Sequence, residues 1–261
     1  MSLYQLGRRA AVHPVGYRQI THYGELLDAP PVFDRTNGFN GFRLLGNGPD
    51  PTLSIAKYRN GCGDCAFVGT ENVTVVDQIE CGVPPTFPTS DLVVSTYLTY
   101  DHGQDKGANL NELLAYWHNH GLPWAGKNCG YAAANFRDLD EFWSAVYTFG
   151  CGYIGILVSA AMQQQTAAGE PWDITGTDLD EQIEGGHCVV AISRTSAEGD
   201  GEVATWGMRQ PFTARWFKTY VEEAHVVVTP AQKARGGNGG GVDFEHLERD
   251  LAVVEHMAEA G

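Results

Sequence analysis

The chain has 261 residues, enough for one large domain with a well-buried core. Hydrophobic residues make up 43% of it and charged residues 19%, which is typical of a globular protein and argues against disorder. Its 17 basic and 32 acidic side chains give a formal net charge of −15, so phosphate backbones and anionic membrane surfaces would repel it. We therefore expect neither nucleic acid nor a membrane as a partner.

The cellular compartment is predicted from what the sequence lacks. No apolar run approaches the roughly 20 residues that span a bilayer, and no hydrophobic core follows the first basic residues, so we expect no secretory signal and a cytoplasmic protein. The six cysteines should then be mostly reduced, and a Cys62–Cys81 or Cys62–Cys129 bridge is conceivable only in an oxidising environment. Cys129, Cys151 and Cys188 are interpreted as small core residues.

The chain is predicted to start with an extended N-terminal arm over residues 1–57. Clusters of Pro, Gly, Asn and Asp punctuate this segment and predict turns, with little helix. Residues 32–33 and 42–45 are its apolar anchors on the body.

A helix-rich half follows the arm and is opened by Cys65. Apolar spacing and capping residues predict helices, with Asp138 as the N-cap and Gly150 as the C-cap of the last one. The predicted helices cover residues 65–78, 90–100, 110–118 and 139–149, and residues 130–133 form a plausible strand.

A strand-rich half carries His187. Apolar runs predict buried strands, and Thr213 can cap a helix that continues to about Glu223. The predicted strands cover residues 153–158, 187–192, 202–207 and 224–228.

The fold class is therefore α+β, with a helical half opened by the Cys65 helix and packed on a mostly antiparallel sheet that carries His187. We predict a main domain over residues 58–229, a Gly-rich linker over 230–241 and a C-terminal amphipathic helix within 242–261. The apolar stripe of that helix can dock on the body or engage another subunit.

Two motifs suggest the chemistry. Cys65 follows Gly63-Asp64 at a predicted helix start, and His187 follows Gly185-Gly186 at the start of an apolar strand. Positive charge from a helix N-terminus and a nearby imidazolium lowers a thiol pKa, which turns cysteine into a good nucleophile. The alternatives are a buried helix-start cysteine and a core histidine that lacks a catalytic role.

These motifs resemble those of the papain-like cysteine peptidases. Their nucleophile signature is C-G-[SA]-C-[WY], and this chain has residues 62–66 as Cys-Gly-Asp-Cys-Ala. Gly186-His187 and Trp206-Gly207 resemble the family's later motifs, and the resemblance covers about residues 58–228. It implies a papain-like fold with Cys65 as nucleophile and His187 as base.

A closer likeness is to uncharacterised papain-fold proteins of actinobacterial phages and prophages. It rests on Gly63-Asp64-Cys65, Gly185-Gly186-His187, Thr205-Trp206-Gly207 and residues 220–224, which read Tyr-Val-Glu-Glu-Ala. The Asp-Cys pair is also similar to that of NlpC-type amidopeptidases. The phage likeness implies a host-cell protein that can be incorporated in a virion.

The chain departs from the papain pattern at two supporting positions. Thr205 stands where the family has the Asn or Asp that orients the histidine, and Arg59 stands where it has the oxyanion Gln. We expect Thr205 to orient His187, and Asn60 to hold the oxyanion together with the Cys65 amide.

The remaining site predictions concern the cleft around the catalytic pair. The residues expected to contact substrate are Gly63, Asp64, Gly186, Trp206 and Trp172. Asp178, Asp180, Glu181 and Glu184 are either a solvated loop or a rim that prefers basic substrates.

Two functions are predicted from different classes. The first is a cysteine hydrolase that cleaves a peptide or amide bond of a peptide or protein substrate. The alternative is a catalytically silent papain fold that serves as a capsid-associated or decoration protein and binds other virion subunits. We expect no cofactor and no metal, because no second C-x-x-C or suitably spaced His pair completes a metal site with Cys62 and Cys65. The alternatives for this C-x-x-C are a redox function or half of a zinc site.

Overall fold

The computed structural model describes residues 6–10, 19–24, 26–235, 243, 245–247 and 249–250. Within these residues the chain forms seven α-helices and one seven-stranded sheet whose strand pairings are all antiparallel. The predicted α+β class, with His187 on an antiparallel sheet, is confirmed. None of the helices in this part of the chain combines the length and apolar character needed to cross a bilayer.

Four helices precede the strand-rich half in the described chain, two lie between its strands, and one follows its last strand. They are α1 (Cys65–Glu80), α2 (Ser90–Tyr100), α3 (Leu110–His120), α4 (Leu139–Phe149), α5 (Ala160–Ala168), α6 (Ala214–Tyr220) and α7 (Pro230–Arg235).

The strands form one sheet, and six of the seven lie along a single path through it. They are β1 (Phe33–Asp34), β2 (Gly130–Ala133), β3 (Gly152–Ser159), β4 (Ile183–Arg194), β5 (Gly201–Thr205), β6 (Met208–Phe212) and β7 (Val221–Val228). Their order is β2-β7-β3-β4-β5-β6, and β1 pairs with Ser193 and Arg194 at the end of β4.

Helix α1 is the central helix because both its faces are buried. Its first turns are inaccessible to solvent, and so are Val73, Val75 and Val76 further along the helix. These three residues are β-branched, and β-branched residues are poor helix formers. Tertiary packing therefore stabilises this helix, and its main partner is β4. Gly69 makes the close approach possible, since a Cβ there would lie 2.9 Å from the Cys188 sulfur.

Capping residues set helix boundaries where the sequence predicted them. The Asp138 carboxylate accepts hydrogen bonds from the amides of Asp140 and Glu141, and α4 ends at Gly150 with φ 136°. The predicted starts of α1, α2 and α3 are also confirmed.

The boundary between α6 and β7 was predicted wrongly. Thr213 does cap α6, but the helix stops at Tyr220, and Val221 already belongs to the strand. Pairing of Val221–Ala224 with β3 outweighs the helix propensity of this acidic stretch.

Elements β1, α5, β6 and α7 were missed, and one strand was predicted too long. Helix α5 has few large apolar residues but is capped by Ser159, whose hydroxyl accepts from the Met162 amide, and it ends at Gly169 in the left-handed region. The strand predicted to reach Gly207 ends at Thr205, because Trp206 and Gly207 form a tight turn into β6.

Of the predicted linker over residues 230–241, residues 230–235 form helix α7 instead, and residues 236–241 lie outside the described residues, as does much of the predicted C-terminal helix. Residues 245–247 and 249–250 are helical, and Leu247 is buried. The Asp243 amide donates to the Tyr23 carbonyl oxygen at 2.7 Å, and the Tyr23 hydroxyl donates to the Asp250 carboxylate. This part of the tail therefore docks on the body of the same chain.

Candidate active site

Cys65 is the first residue of α1 and is almost fully buried, with 1% of its surface exposed. Asp64 is the N-cap residue, but its side chain makes no capping hydrogen bond. Burial raises the pKa of the Asp64 carboxyl well above its ordinary value, and both carboxyl oxygens are buried without a hydrogen-bond partner among the described residues. Asp64 packs inside the protein in this state, and its role as a substrate contact stays a prediction.

His187 lies on β4 and is held from two directions. Its Nε2 is 2.7 Å from the Thr205 hydroxyl oxygen, and the Trp206 indole stacks on the imidazole with 4.8 Å between ring centroids. The other ring nitrogen, Nδ1, is buried and has no hydrogen-bond partner among the described residues. One nitrogen is thus fixed, and the other remains available for proton transfer.

The turn between β5 and β6 places Trp206 over the histidine. Trp206 has φ 45° and Gly207 has φ 78°, which fits the two left-handed central residues of a tight hairpin turn. A tryptophan in this region is unusual, so surrounding packing must hold it there.

Trp172 supplies part of that packing. Its ring meets Trp206 edge-on at 5.6 Å, and its Nε1 donates to the Thr166 hydroxyl at 2.7 Å. Trp172 is completely buried in this state, and its role as a substrate contact stays a prediction. Its contact with Trp206 connects it to the ring that stacks on His187.

Packing of α1 on β4 brings Cys65 to the strand of His187. The backbone amide of Cys188, the next residue after His187, lies close enough to the Cys65 sulfur to lower its pKa. Burial outweighs this effect and raises the pKa of Cys65 to about 11. Burial likewise lowers the pKa of His187 to about 3, with a smaller contribution from the Arg8 charge. In this state both groups are neutral, so they do not form the thiolate–imidazolium pair that the sequence predicts.

The cover over Cys65 is the N-terminal segment Leu6–Arg9. It runs extended between the two halves, because the Arg8 amide donates to the Gly186 carbonyl oxygen at 3.1 Å while Ala108 pairs with Gly7 and Arg9 on the other side. Gly7 touches the residues that open α1, since a Cβ there would fall 2.0 Å from the Gly63 carbonyl oxygen. Gly63 and Gly186, both predicted to contact substrate, therefore contact this segment of the chain itself.

The Asn60 side chain is exposed, at the end of a short turn before Cys62. Neighbouring Arg59 donates from its Nε to the Leu53 carbonyl oxygen. The acidic loop is also exposed over most of its length, and Asp180 accepts hydrogen bonds from Thr175 and Gly176 within it.

The cysteines form no disulfide in the described part of the chain, which contains all six of them. Burial raises the pKa of Cys62 far above its ordinary value, and its thiol faces the Gly46 carbonyl oxygen. In the described part of the chain, no cluster of His, Cys, Asp and Glu is placed to hold a metal ion.

Several residues at the cleft were missed by sequence reasoning. Arg8 enters from the arm, Ala108 pairs with it, and Glu222 and Glu223 receive its guanidinium. The partners lie about 100 to more than 200 residues apart, so no local spacing could reveal them. The sequence signal that was available is the glycine pair Gly185-Gly186, which leaves space for a backbone beside β4.

Comparison with known proteins supports the fold. A scan against protein-family models and a search of curated proteins both find no match. Among solved structures, the chain is similar to xylellain, a cysteine protease from Xylella fastidiosa, with TM-score 0.61 and 12% identity over 87% of this chain and 97% of that one. It is also similar to procathepsin B S9 from Trypanosoma congolense, with TM-score 0.52 and 12% identity over 88% and 87% of the two chains. The predicted papain-like fold is thus confirmed.

Proposed function

We propose that this chain is a cysteine hydrolase that cleaves a peptide or amide bond. The observation that carries the proposal is the state of His187. Its Nε2 is fixed by Thr205, its Nδ1 has no hydrogen-bond partner among the described residues, and it lies on the strand that contacts Cys65. The papain-like fold supports the same roles, because the structural relatives named above are a cysteine protease and a procathepsin.

The reaction follows from this arrangement. His187 takes the Cys65 proton, and the thiolate attacks the substrate carbonyl carbon to form a tetrahedral intermediate. The oxyanion faces the Cys65 amide at the start of α1, where helix N–H groups have no intrahelical partner. His187 then gives its proton to the leaving amine, and water hydrolyses the thioester to release the acid and restore the thiol.

Asn60 is our candidate for the second oxyanion donor, and Thr205 for the group that orients His187. An oxyanion donor is worth about 2.7–4 kcal/mol in a well-studied protease, so Asn60→Ala should lower kcat by about a hundredfold or more if the amide turns into the cleft. An unchanged kcat would remove Asn60 from the mechanism.

The experiment that tests the function must first uncover Cys65. Gly7→Leu in the full chain would displace segment 6–9, because Gly7 has no space for a side chain against Gly63. We expect this variant to release peptides from labelled casein, and we expect the release to vanish when Cys65→Ala or His187→Ala is added. Cys81→Ala, which removes an exposed thiol, is the matched control and should stay active. Casein cleavage that survives Cys65→Ala would overturn the proposal.

The second candidate is a catalytically silent papain fold in a phage virion. The neutral state of Cys65 and His187, and the absence of a carboxylate or amide at Thr205, are the observations that favour silence. The virion role rests on the sequence likeness alone, and neither structural relative named above is a virion protein. We therefore rank it second; an inactive Gly7→Leu variant that sediments as an assembly would reverse the order.

A further inference from the structure

Arg8 occupies a pocket that none of the proposed catalytic roles uses. Its side chain is 1% exposed and reaches β7, where Nη1 donates to Glu223 Oε1 at 2.7 Å and Nη2 donates to the Glu222 carboxylate. Glu223 is fully buried, and its other oxygen lies 3.2 Å from His225 Nε2. Glu222 is 40% exposed and closes the pocket at its outer edge.

We propose that this pocket, formed by Gly155, Gly186, Glu222 and Glu223, binds an arginine side chain of the peptide substrate. The inference deepens the proposed hydrolase function and rests on it. Segment Leu6–Arg9 shows how such a peptide lies, since it fills the pocket with its own arginine.

Charge is the first argument for a cationic occupant. Burial opposes the charge of Arg8, but hydrogen bonds to Glu223 and Glu222 outweigh it and raise the pKa of the guanidinium. Burial also opposes the Glu223 charge, and hydrogen bonds from His225 and Arg8 keep the pKa of that carboxyl below its ordinary value. A carboxylate this deeply buried needs a cation beside it, so an empty pocket favours a cationic guest.

Shape is the second argument. A Cβ on Gly155 would lie 2.6 Å from Arg8 Cδ and 2.7 Å from Glu223 Cγ, and a Cβ on Gly186 would lie 2.7 Å from the Arg8 carbonyl oxygen. Side chains at either position would close the pocket to a long side chain. Glycine at both leaves a channel that the arginine stem fills.

The two carboxylates favour arginine over lysine. Each accepts from a different terminal nitrogen of the guanidinium, and a forked donor can satisfy both at once. A lysine ammonium is a compact point charge and cannot span the two acceptors in the same way.

The position of the pocket makes it a substrate site. The carbonyl oxygen that binds the Arg8 amide belongs to Gly186, the residue before His187. Ala108 binds the same segment from the opposite wall of the cleft. An extended peptide held at these two points would place one side chain in the acidic pocket and its backbone beside Cys65 and His187.

The test measures binding and turnover separately. The full chain with Gly7→Leu and Cys65→Ala cannot hold its own arm in place or turn over substrate, and it is titrated calorimetrically with the capped peptide Leu-Gly-Arg-Arg-Ala. The same peptide with citrulline in place of the first arginine is the matched ligand, because it keeps the shape and loses the charge. We expect the arginine peptide to bind at least about tenfold more tightly than the citrulline peptide.

Pocket variants complete the test. Glu222→Gln and Glu223→Gln should bring the two peptides to similar affinity, while Glu198→Gln, an equal charge change at an exposed loop residue, should leave the preference intact. If Glu223→Gln fails to fold, Glu222→Gln and the citrulline peptide still decide the question.

The outcomes separate this inference from the proposed function. Equal affinity for arginine and citrulline peptides overturns the pocket, even if Gly7→Leu hydrolyses both. An arginine preference in binding, without any hydrolysis by the Gly7→Leu chain that retains Cys65, supports the pocket as a peptide-binding site and overturns the hydrolase.

Discussion

Two pairs of polar groups lie buried side by side in the cleft, and burial affects them in opposite ways. Cys65 and His187 are both neutral, because burial raises the thiol pKa to about 11 and lowers the imidazole pKa to about 3. Arg8 and Glu223 are as deeply buried, yet both stay charged. The difference is pairing, since each member of the second pair donates to or accepts from an opposite charge.

Arg8 connects the two pairs. Its segment excludes water from Cys65, and its positive charge helps to lower the pKa of His187. The same residue therefore supports the ion pair and helps to hold the proposed catalytic pair neutral. Removing the segment should favour the charged forms of Cys65 and His187, and it should leave the Glu223 carboxylate without its cation.

The largest expected effect is on the Cys65 thiol. At pH 7 a thiol with a pKa of about 11 is about 0.01% thiolate, and an ordinary cysteine with a pKa of about 8.5 is about 3% thiolate, a difference of roughly 300-fold. Gly7→Leu should raise the rate of Cys65 alkylation by iodoacetamide by at least that order, because it also opens access. Peptide mapping by mass spectrometry measures the rate.

Ala10→Leu is the control for that experiment, because Ala10 is exposed and can carry a larger side chain without displacing the arm. Its labelling rate at Cys65 should match the unmodified chain. If Gly7→Leu labels no faster than Ala10→Leu, the arm does not control the thiol.

The next effect concerns the charged pair. Arg8→Met leaves Glu223 without its guanidinium, and breaking a buried pair generally costs about 3–5 kcal/mol. We expect about 2–3 kcal/mol here, because the freed arm would let water reach the carboxylate. Urea unfolding measures the loss, and Arg8→Met with Glu223→Gln should recover part of it. Full additivity of the two single changes would contradict the pairing argument.

Glu71 on α1 can be compared with Glu223, because it is a buried carboxyl without a hydrogen-bond partner among the described residues. Burial raises its pKa to about 8, opposed only by the charge of Arg43. The folded state thus holds the proton more tightly than the unfolded chain. Stability from this group is fully present below about pH 4.5 and is lost as the pH rises through about 8.

Glu71→Gln should remove that pH dependence and raise the free energy of unfolding at pH 9 by about 2 kcal/mol. Thermal unfolding at pH 5, 7 and 9 measures it. Glu198→Gln is the exposed control, and a pH profile of Glu71→Gln that matches the unmodified chain would refute the assignment.

The smallest effect concerns the orientation of His187. Thr205→Val keeps the shape and removes the hydroxyl beside Nε2, which costs about one neutral hydrogen bond, or five- to tenfold in kcat/KM. Thr205→Ser restores the hydroxyl and should return most of the activity. A Thr205→Val enzyme as active as Thr205→Ser would show that Trp206 alone positions the imidazole.

The sequence predicted elements best where local chemistry decides them. Helix α4 has an aspartate cap, an acidic first turn and a terminal glycine, and its predicted bounds are confirmed. Residues 221–223 were predicted as helix but form strand, because pairing with β3, a long-range contact, outweighs a local preference for helix. Helix α5 was missed because it has few large apolar residues, although Ser159 and Gly169 mark both its ends.

The residues of the candidate site divide in the same way, into those that a local motif marks and those whose environment depends on distant parts of the chain. Cys65, His187 and Thr205 were found from motifs in short stretches, and the structure brings His187 and Thr205 into hydrogen-bond contact. The complete burial of Trp172 was not predicted, because a Trp in a loop sequence gives no sign of burial. Arg8 was not predicted as a site residue, because its role depends on contacts with β7, which lies far away in the sequence.

The distance of 215 residues between Arg8 and Glu223 has a consequence for biosynthesis. At about 5–20 residues per second, a ribosome makes Glu223 roughly 10–40 s after Arg8. Strand β7 lies between β2 and β3, so the sheet is completed only after this late segment emerges. The arm has been available throughout that interval, and the nascent protein therefore acquires its cleft and the cover of that cleft in the same step, once β7 has emerged.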